Sequence, residues 1–291
     1  MLVEVKAAAL SPLTAAQAAG KHYSGAKPPL VPGADGVGRC EGQRVYFAFP
    51  RAPVGSMAEV TAVKRAYVIP VPAELDDLTA AAAGNPGMSS WAGLTRRAAF
   101  KAGESVLING AAGISGRLAI QVAKHLGARR VIAAARDRAT EPALRALGAD
   151  AFIGLDQPAA ELTAAFRSEL AGDGIDVVLD YLFGGPAEAF VAATIGRATG
   201  KAEPRIRFVQ IGAAAGLNIS LPGAALRSSG LELLGTGLGA LSNQELLACI
   251  GELFSVYDAA GFRVEAQAVP LADVSAAWQR RGKARTVFTV A

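Results

Sequence analysis

Two cysteines and two histidines in 291 residues leave little material for the usual staples and metal clips. Cys40 and Cys249 cannot build a disulfide framework or a four-cysteine zinc site. Charge is sparse at 19%, and basic residues come no denser than the pairs Arg96-Arg97, Arg129-Arg130 and Arg280-Arg281. A nucleic-acid face normally carries a denser basic stripe interleaved with aromatics, which make up only 6% here, so no nucleic-acid partner is expected. Long apolar runs are missing too, and none approaches the ~18 residues a bilayer span needs, so no membrane partner is expected either. The opening "MLVEVKAAAL" carries an acid at Glu4 and lacks the basic-then-apolar layout of a signal peptide. The expectation is a soluble, cytoplasmic protein. What is abundant is apolar: 52% hydrophobic residues can bury a large core and form two domains. A net charge of +4 and a pI near 9.2 are compatible with an anionic small-molecule cofactor.

The chain has two textures. Residues 1 to about 85 hold short alternating segments, "LVEVKAAA", "QRVYFAF" and "SMAEVTAVKRAYVIPVP", broken by proline and glycine, which predict an irregular β domain. From 105 to 236, buried apolar strands alternate with helical segments: "SVLIN", "RVIAAA", "AFIGL", "IDVVLDY", "RIRFVQIG" and "LELLG". That is the pattern of a doubly wound parallel sheet covered on both faces. The fold class is therefore α/β, with a Rossmann sheet and a second β domain. A helix over "SNQELLACIGELFSVYDAAG" opens at a capping Ser or Asn and closes at Gly261. The last segment, from 259 to 291, returns to mixed strand and helix. The boundaries read as 1–92, 93–258 and 259–291, the last rejoining the first.

The chemistry sits in "NGAAGISG". Gly110, Gly113 and Gly116, with Ala111, Ala112, Ile114 and Ser115, lie between a strand and a helix whose apolar stripe is Ile114, Leu118, Val122 and Leu126. Without Cβ atoms the backbone can approach a pyrophosphate, and the first N–H groups of the helix point at it with the positive end of the helix dipole behind them. Dinucleotide binding follows from this strand, turn, helix, strand context. An NAD site normally places Asp or Glu at the end of the second strand, where this chain has Ala135. Arg136 and Arg138 follow, and their guanidinium groups suit a 2′-phosphate, which favours NADPH over NADH. Asp137 lies between them and could still reach a ribose.

The segment "SVLINGAAGISGRLAIQVAKHLGARRVIAAARD" resembles the cofactor turn of the medium-chain dehydrogenase/reductase superfamily, particularly its zinc-free quinone oxidoreductase branch, which includes zeta-crystallin. "VEVKAAALSP", "PPLVPGADGVGRC", "GSMAEVTAV", "AAAGNPGMSSWAGL" and "VPLADVSAAWQRRGKARTVFTV" are similar to further segments of that family, so the likeness covers nearly the whole chain. It implies a GroES-like β domain, a Rossmann domain, a cleft between them and a homodimer. The dimer expectation has a physical side: "LELLGTG" should form an exposed sheet edge.

Zinc-dependent relatives carry a Cys in the early loop, a Gly-His-Glu triplet and a cysteine cluster. Here the loop reads Ser11-Pro12-Leu13-Thr14 and the triplet Gly33-Ala34-Asp35, so no metal ligand set is expected. His22 and His125 are the only histidines, and His125 reads as a surface or packing residue. Asp35 reads as structural, accepting backbone N–H groups in a turn. What the resemblance implies is hydride transfer to a quinone or an α,β-unsaturated carbonyl, with a hydrogen bond or proton for the oxygen that gathers charge. Its candidate donors are Tyr23, Ser11, Asn85 and Ser89; Met88 would border the nicotinamide with Ser89, and Gly212 and Ala213 would let the backbone approach the ring. The chain departs from the family in opening at what looks like its third strand and in the short "RCEGQRVYF" passage. Ser11 and Thr14 also stand where an Asn and an Asp are common. Those departures keep a second expectation open, a non-catalytic NADPH-binding structural or redox-sensing protein.

Overall fold

A computed structural model describes residues 1–21, 27–196, 202–279, 282 and 284–291. In chain order, β1 (Leu2–Ala9) leads through α1 (Pro12–Ala18) to β2 (Asp35–Cys40), β3 (Gln43–Ala48), β4 (Val60–Ala62), β5 (Val68–Pro70) and α2 (Asp77–Ala92). Strand and helix then alternate: β6 (Ser105–Asn109), α3 (Ile114–His125), β7 (Arg130–Ala135), α4 (Glu141–Ala146), β8 (Ala151–Gly154) and α5 (Ala159–Ala171). The alternation continues through β9 (Val177–Asp180), α6 (Gly184–Thr194), β10 (Arg205–Gln210), α7 (Gly223–Arg227) and β11 (Gly230–Gly235). α8 (Asn243–Val256), β12 (Ala266–Pro270), α9 (Val274–Ala277) and β13 (Arg285–Thr289) close the chain. Among the described residues, no helix is long and apolar enough to cross a membrane.

Contacts divide the chain into two compact units, Met1–Met88 with Leu241–Ala291, and Ser89–Ala240. In the first, a sheet runs β12-β13-β1-β2-β3-β5, with β4 also paired to β1. The final strand lies antiparallel beside the first, Ala8 opposite Phe288, so the C-terminal segment returns to the sheet that opened the chain. Val3, Val5, Phe47, Val269 and Phe288 form its core. The helix expected at "SNQELLACIGELFSVYDAAG" starts with a capping box between Ser242 and Glu245 and ends at Val256, short of Gly261. Sequence boundaries placed it with the parallel sheet, but it packs in the first unit. Phe254 stands edge-on to Tyr46 at 5.3 Å, and Leu253 fits against Gly87 of α2. A Cβ on Gly84 would meet the Tyr46 ring at 2.5 Å, so that glycine lets α2 close on the same tyrosine.

Asp35 corrects its expectation. It lies in β2, only 2% exposed, and accepts the Tyr46 hydroxyl at 2.6 Å instead of capping a turn. Burial raises its pKa against the pull of Arg285, itself buried and lowered by desolvation.

The second unit is built on six parallel strands in the order β11-β10-β9-β6-β7-β8. All four residues of β9 and all five of β6 are buried, as near-continuous Val, Ile and Leu demand of strands covered on both faces. α3 buries Leu118, Ala119 and Val122, while Phe166 of α5 and Phe190 of α6 meet edge-to-face at 5.5 Å in the core that also takes Leu107 and Val178. Every expected strand is present. β8 ends one residue early at Gly154, β9 is trimmed at both ends to Val177–Asp180, and β10 ends two residues early at Gln210.

Candidate functional site

The strand order reverses between β6 and β9: one half of the sheet runs outward through β7 and β8, the other through β10 and β11. At such a point the loops leave the C-terminal strand ends in opposite directions and open a crevice where ligands bind. The turn after β6 occupies this point. Gly110 takes φ +96°, and its N–H and that of Ala111 both donate to the carbonyl of Ala134 at 3.0 and 2.9 Å, tying the turn to β7. A Cβ on Gly116 would stand 2.4 Å from the Gly110 oxygen and 2.6 Å from Ala111 Cα, so α3 presses directly on the turn. Gly113 is the opposite case. It is exposed, and the nearest atom to a Cβ there is the Gly110 oxygen at 3.6 Å. As N-cap of α3 it offers no side chain to the helix, so the first-turn amides at Ile114 and Ser115 keep no side-chain cap. An open cradle ending in uncapped helical amides fits a diphosphate.

Ala135 ends β7, and the expected pair follows it. Arg136 and Arg138 are exposed; the Arg138 guanidinium lies over the Phe152 ring at 5.9 Å and against Gly154, which ends β8. Both arginines therefore stand at the C-terminal edge of the sheet. Asp137 is spent locally, its Oδ1 accepting the Ala139 N–H at 2.9 Å to cap a short 3-10 turn. Arg117, not singled out by the sequence, folds its Nε back to the carbonyl of Ala112 at 3.1 Å and brings a guanidinium to the glycine turn.

Loops after β9 and β10 meet at the same edge. Ile211 and Gly212 donate to the carbonyl of Asp180 at 2.8 and 3.1 Å, and Gly212 leaves only 2.8 Å between its missing Cβ and the Tyr181 carbonyl. Ala213 follows in this loop, whose next residues, Ala214 and Ala215, donate to Tyr181 and Leu182 at 3.3 and 2.8 Å. Ser89 is half-buried, 3.2 Å from the Tyr181 hydroxyl. Burial raises the Tyr181 pKa, and the Ser89 and Ser90 hydroxyls oppose that rise, so the phenol is a proton-bearing group. Tyr181 went unnoticed because "IDVVLDY" reads as strand to its last letter. Asp180 went unnoticed for the same reason. It is fully buried, and burial pushes its pKa up to about 6, against hydrogen bonds from Leu182, Phe183 and Asn109.

Ser11, Asn85 and Met88 belong to the first unit. Ser11 is 4% exposed and caps α1, its hydroxyl accepting the Thr14 N–H at 3.0 Å and pairing with the Thr14 hydroxyl at 3.0 Å. Asn85 and Met88 lie half-buried on α2. Tyr23, with His22, falls outside the described residues. His125 is exposed at the end of α3, its ring 6.0 Å from that of Trp91. Among the described residues, no three His, Cys, Asp or Glu side chains gather closely enough to hold a metal ion. A groove of about 450 Å³ lined by Met1, Cys40, Gln43, Val45 and Arg65 holds none of the expected site residues.

Residues 116–252 match the zinc-binding dehydrogenase family. The chain is 38% identical over 175 residues to the chloroplastic NADPH-dependent alkenal/one oxidoreductase of Arabidopsis thaliana, which covers 53% of this chain and 44% of that protein. It is 34% identical over 171 residues to the 2-methylene-furan-3-one reductase of Solanum lycopersicum, again covering 53% and 44%. The chain thus spans under half the length of these two relatives. The quinone oxidoreductase of Thermus thermophilus, solved also as its complex with NADPH, superposes with a TM-score of 0.80 at 27% identity, over 99% of this chain and 91% of that one.

Proposed function

We propose that this chain is an NADPH-dependent reductase of quinones or α,β-unsaturated carbonyls, of the medium-chain dehydrogenase/reductase type; its likeness to the alkenal/one oxidoreductase and to the Thermus thermophilus quinone oxidoreductase supports that reading. The observation that carries the proposal is the glycine turn at the strand-order reversal, with Arg136 and Arg138 at the end of β7 where an acid would select NADH. Bound NADPH would supply the hydride. The uncapped amides at the start of α3, at Ile114 and Ser115, would hold its diphosphate, Gly113 leaving the room, and Arg136 and Arg138 would pair with the 2′-phosphate by charge-assisted hydrogen bonds. Gly212 and Ala213 lie in the loop that would face the ring, the missing Cβ of Gly212 letting that loop close on the Tyr181 carbonyl.

At the reacting end, the chain holds a substrate oxygen rather than a metal. Ser89 and Tyr181 form a hydroxyl pair whose phenol keeps its proton, so a hydrogen bond is available to the oxygen on which negative charge gathers. Tyr23 and Asn85 remain donors by resemblance, and Met88 a neighbour of the ring. Ser11 is the weakest of the set, since its hydroxyl already serves α1 and Thr14. Zinc independence rests on the residues themselves: Ser11, Thr14 and Ala34 cannot supply the thiolate and imidazole found at the matching places in zinc enzymes. β11 is the edge strand of its sheet, with Leu233 39% exposed, which suits pairing with a second copy in a homodimer. A cytoplasmic location goes with this reading.

Steady-state oxidation of NADPH against a panel of small quinones and enones tests the proposal. Turnover on at least one class is expected; tight NADPH binding with no turnover on any acceptor would instead favour a structural or redox-sensing protein.

A further inference from the structure

Asp180 ends β9 with no exposed surface, yet its carboxylate serves three donors. Asn109 Nδ2 donates to Oδ1 at 2.8 Å, Leu182 N–H to Oδ1 at 3.1 Å, and Phe183 N–H to Oδ1 and Oδ2 at 3.2 and 3.0 Å. Each donor lies at a telling place. Asn109 is the last residue of β6, directly before Gly110, and its Oδ1 is buried without a partner, so the amide is held through Nδ2. Phe183 has φ +54° and ψ −158°, a conformation that glycine takes easily and a residue with a Cβ does not. Such a residue persists only where its surroundings over-determine it, and here the carboxylate grips its N–H with both oxygens. The turn it fixes covers Gly110, since a Cβ there would meet Leu182 Cδ2 at 3.1 Å and Tyr181 Cβ at 3.2 Å.

The structure assigns Asp180 a positioning role in cofactor binding: its carboxylate clamps the Tyr181–Phe183 turn against Gly110 and the end of β6, and so sets the backbone that receives the diphosphate. The assignment rests on the reading of residues 110–116 as the NADPH cradle. Asp180 itself lies beneath that surface and acts through the turn. Losing hydrogen bonds to a buried charge should loosen the turn, while the strain at Phe183 drives it away from its place.

Calorimetric titration with NADPH of Asp180→Asn, Phe183→Gly and the double variant tests this, with amide exchange at Leu182 and Phe183 measured alongside. Asp180→Asn should weaken NADPH about tenfold and speed exchange at both amides. Adding Phe183→Gly to Asp180→Asn should recover most of the affinity lost by Asp180→Asn, because glycine holds the conformation without the clamp. An unchanged Kd in Asp180→Asn, or an equal loss with and without Phe183→Gly, would overturn the role. Should Asp180→Asn fail to fold, Asn109→Ala carries the test: several-fold weaker NADPH binding supports the clamp, and an unchanged Kd rejects it. If the unaltered protein binds no NADPH, the proposed function falls instead. The clamp is then judged by exchange alone, supported if Asp180→Asn strips protection from Leu182 and Phe183 and rejected if protection stays.

Discussion

Two glycines three residues apart should respond to the same substitution in opposite ways. At Gly116, an added Cβ would stand 2.4 Å from the Gly110 oxygen and 2.6 Å from Ala111 Cα, where ordinary contacts between such atoms are about 3.5–4.0 Å. Both neighbours are backbone and cannot rotate away, so α3 must shift by about 1 Å. That helix is seated by Leu118, Ala119 and Val122, all with no exposed surface, and overpacking of this kind costs about 1–3 kcal/mol. For a protein of this size the thermal midpoint of Gly116→Ala should fall by about 2–5 °C. At Gly113 the added Cβ meets only the Gly110 oxygen at 3.6 Å, and φ is an unstrained −71°. The reduced freedom of the unfolded chain, about 0.4–1 kcal/mol, offsets a poorer helix N-cap of similar size, so Gly113→Ala should melt within a degree or two of the unaltered protein. It should nonetheless bind NADPH at least about tenfold more weakly, since its methyl group fills the cradle. Differential scanning calorimetry paired with isothermal titration separates the two effects. Normal NADPH affinity in Gly113→Ala would refute the placement of the diphosphate, and an unshifted midpoint in Gly116→Ala would refute the packing argument.

Other expectations follow from the same geometry. Replacing Arg136 and Arg138 together by Ala should raise the Kd for NADPH about 10- to 100-fold and leave that for NADH nearly unchanged, read by fluorescence titration; equal losses would remove the 2′-phosphate assignment. Asp180, with its pKa raised from 3.8 to about 6, contributes stability that is present below the ordinary value and lost as pH rises through the raised one. The unaltered protein should therefore lose stability relative to Asp180→Asn between pH 4 and pH 6.5, by an amount on the order of 3 kcal/mol read from thermal melts, and parallel pH profiles would contradict the shift. Sedimentation should show a dimer at micromolar concentration that Leu233→Lys dissociates; a monomer for the unaltered protein would end the edge-pairing proposal.

Much of this architecture was legible because buried parallel strands announce themselves: short apolar runs such as residues 106–108, 131–135 and 177–179, recurring between helical segments, admit few other structures. The glycine turn was legible for a related reason, since three glycines around a helix start have a steric meaning wherever they occur. What stayed hidden depended on partners distant in sequence. Nothing in "GADGVG" tells that Asp35 will face Tyr46, because the pairing is made by the β2–β3 register. The stripe of α8 is as suited to one sheet as to another, and only Tyr46 and Gly87 reveal where it rests. Asp180 and Tyr181 looked like the tail of a strand, yet a one-residue difference in where β9 ends puts one beneath the turn and the other beside Ser89. Boundaries are set by the last ladder hydrogen bond, which sequence periodicity does not see.

Titrating the unaltered protein with NADPH and with NADH in the same calorimeter tests the cofactor assignment most directly. Saturable one-site heat is predicted with NADPH, and an affinity for NADH at least about tenfold lower, the difference expected of a 2′-phosphate held by two arginines. Silence with both nucleotides, or tighter binding of NADH, would contradict it.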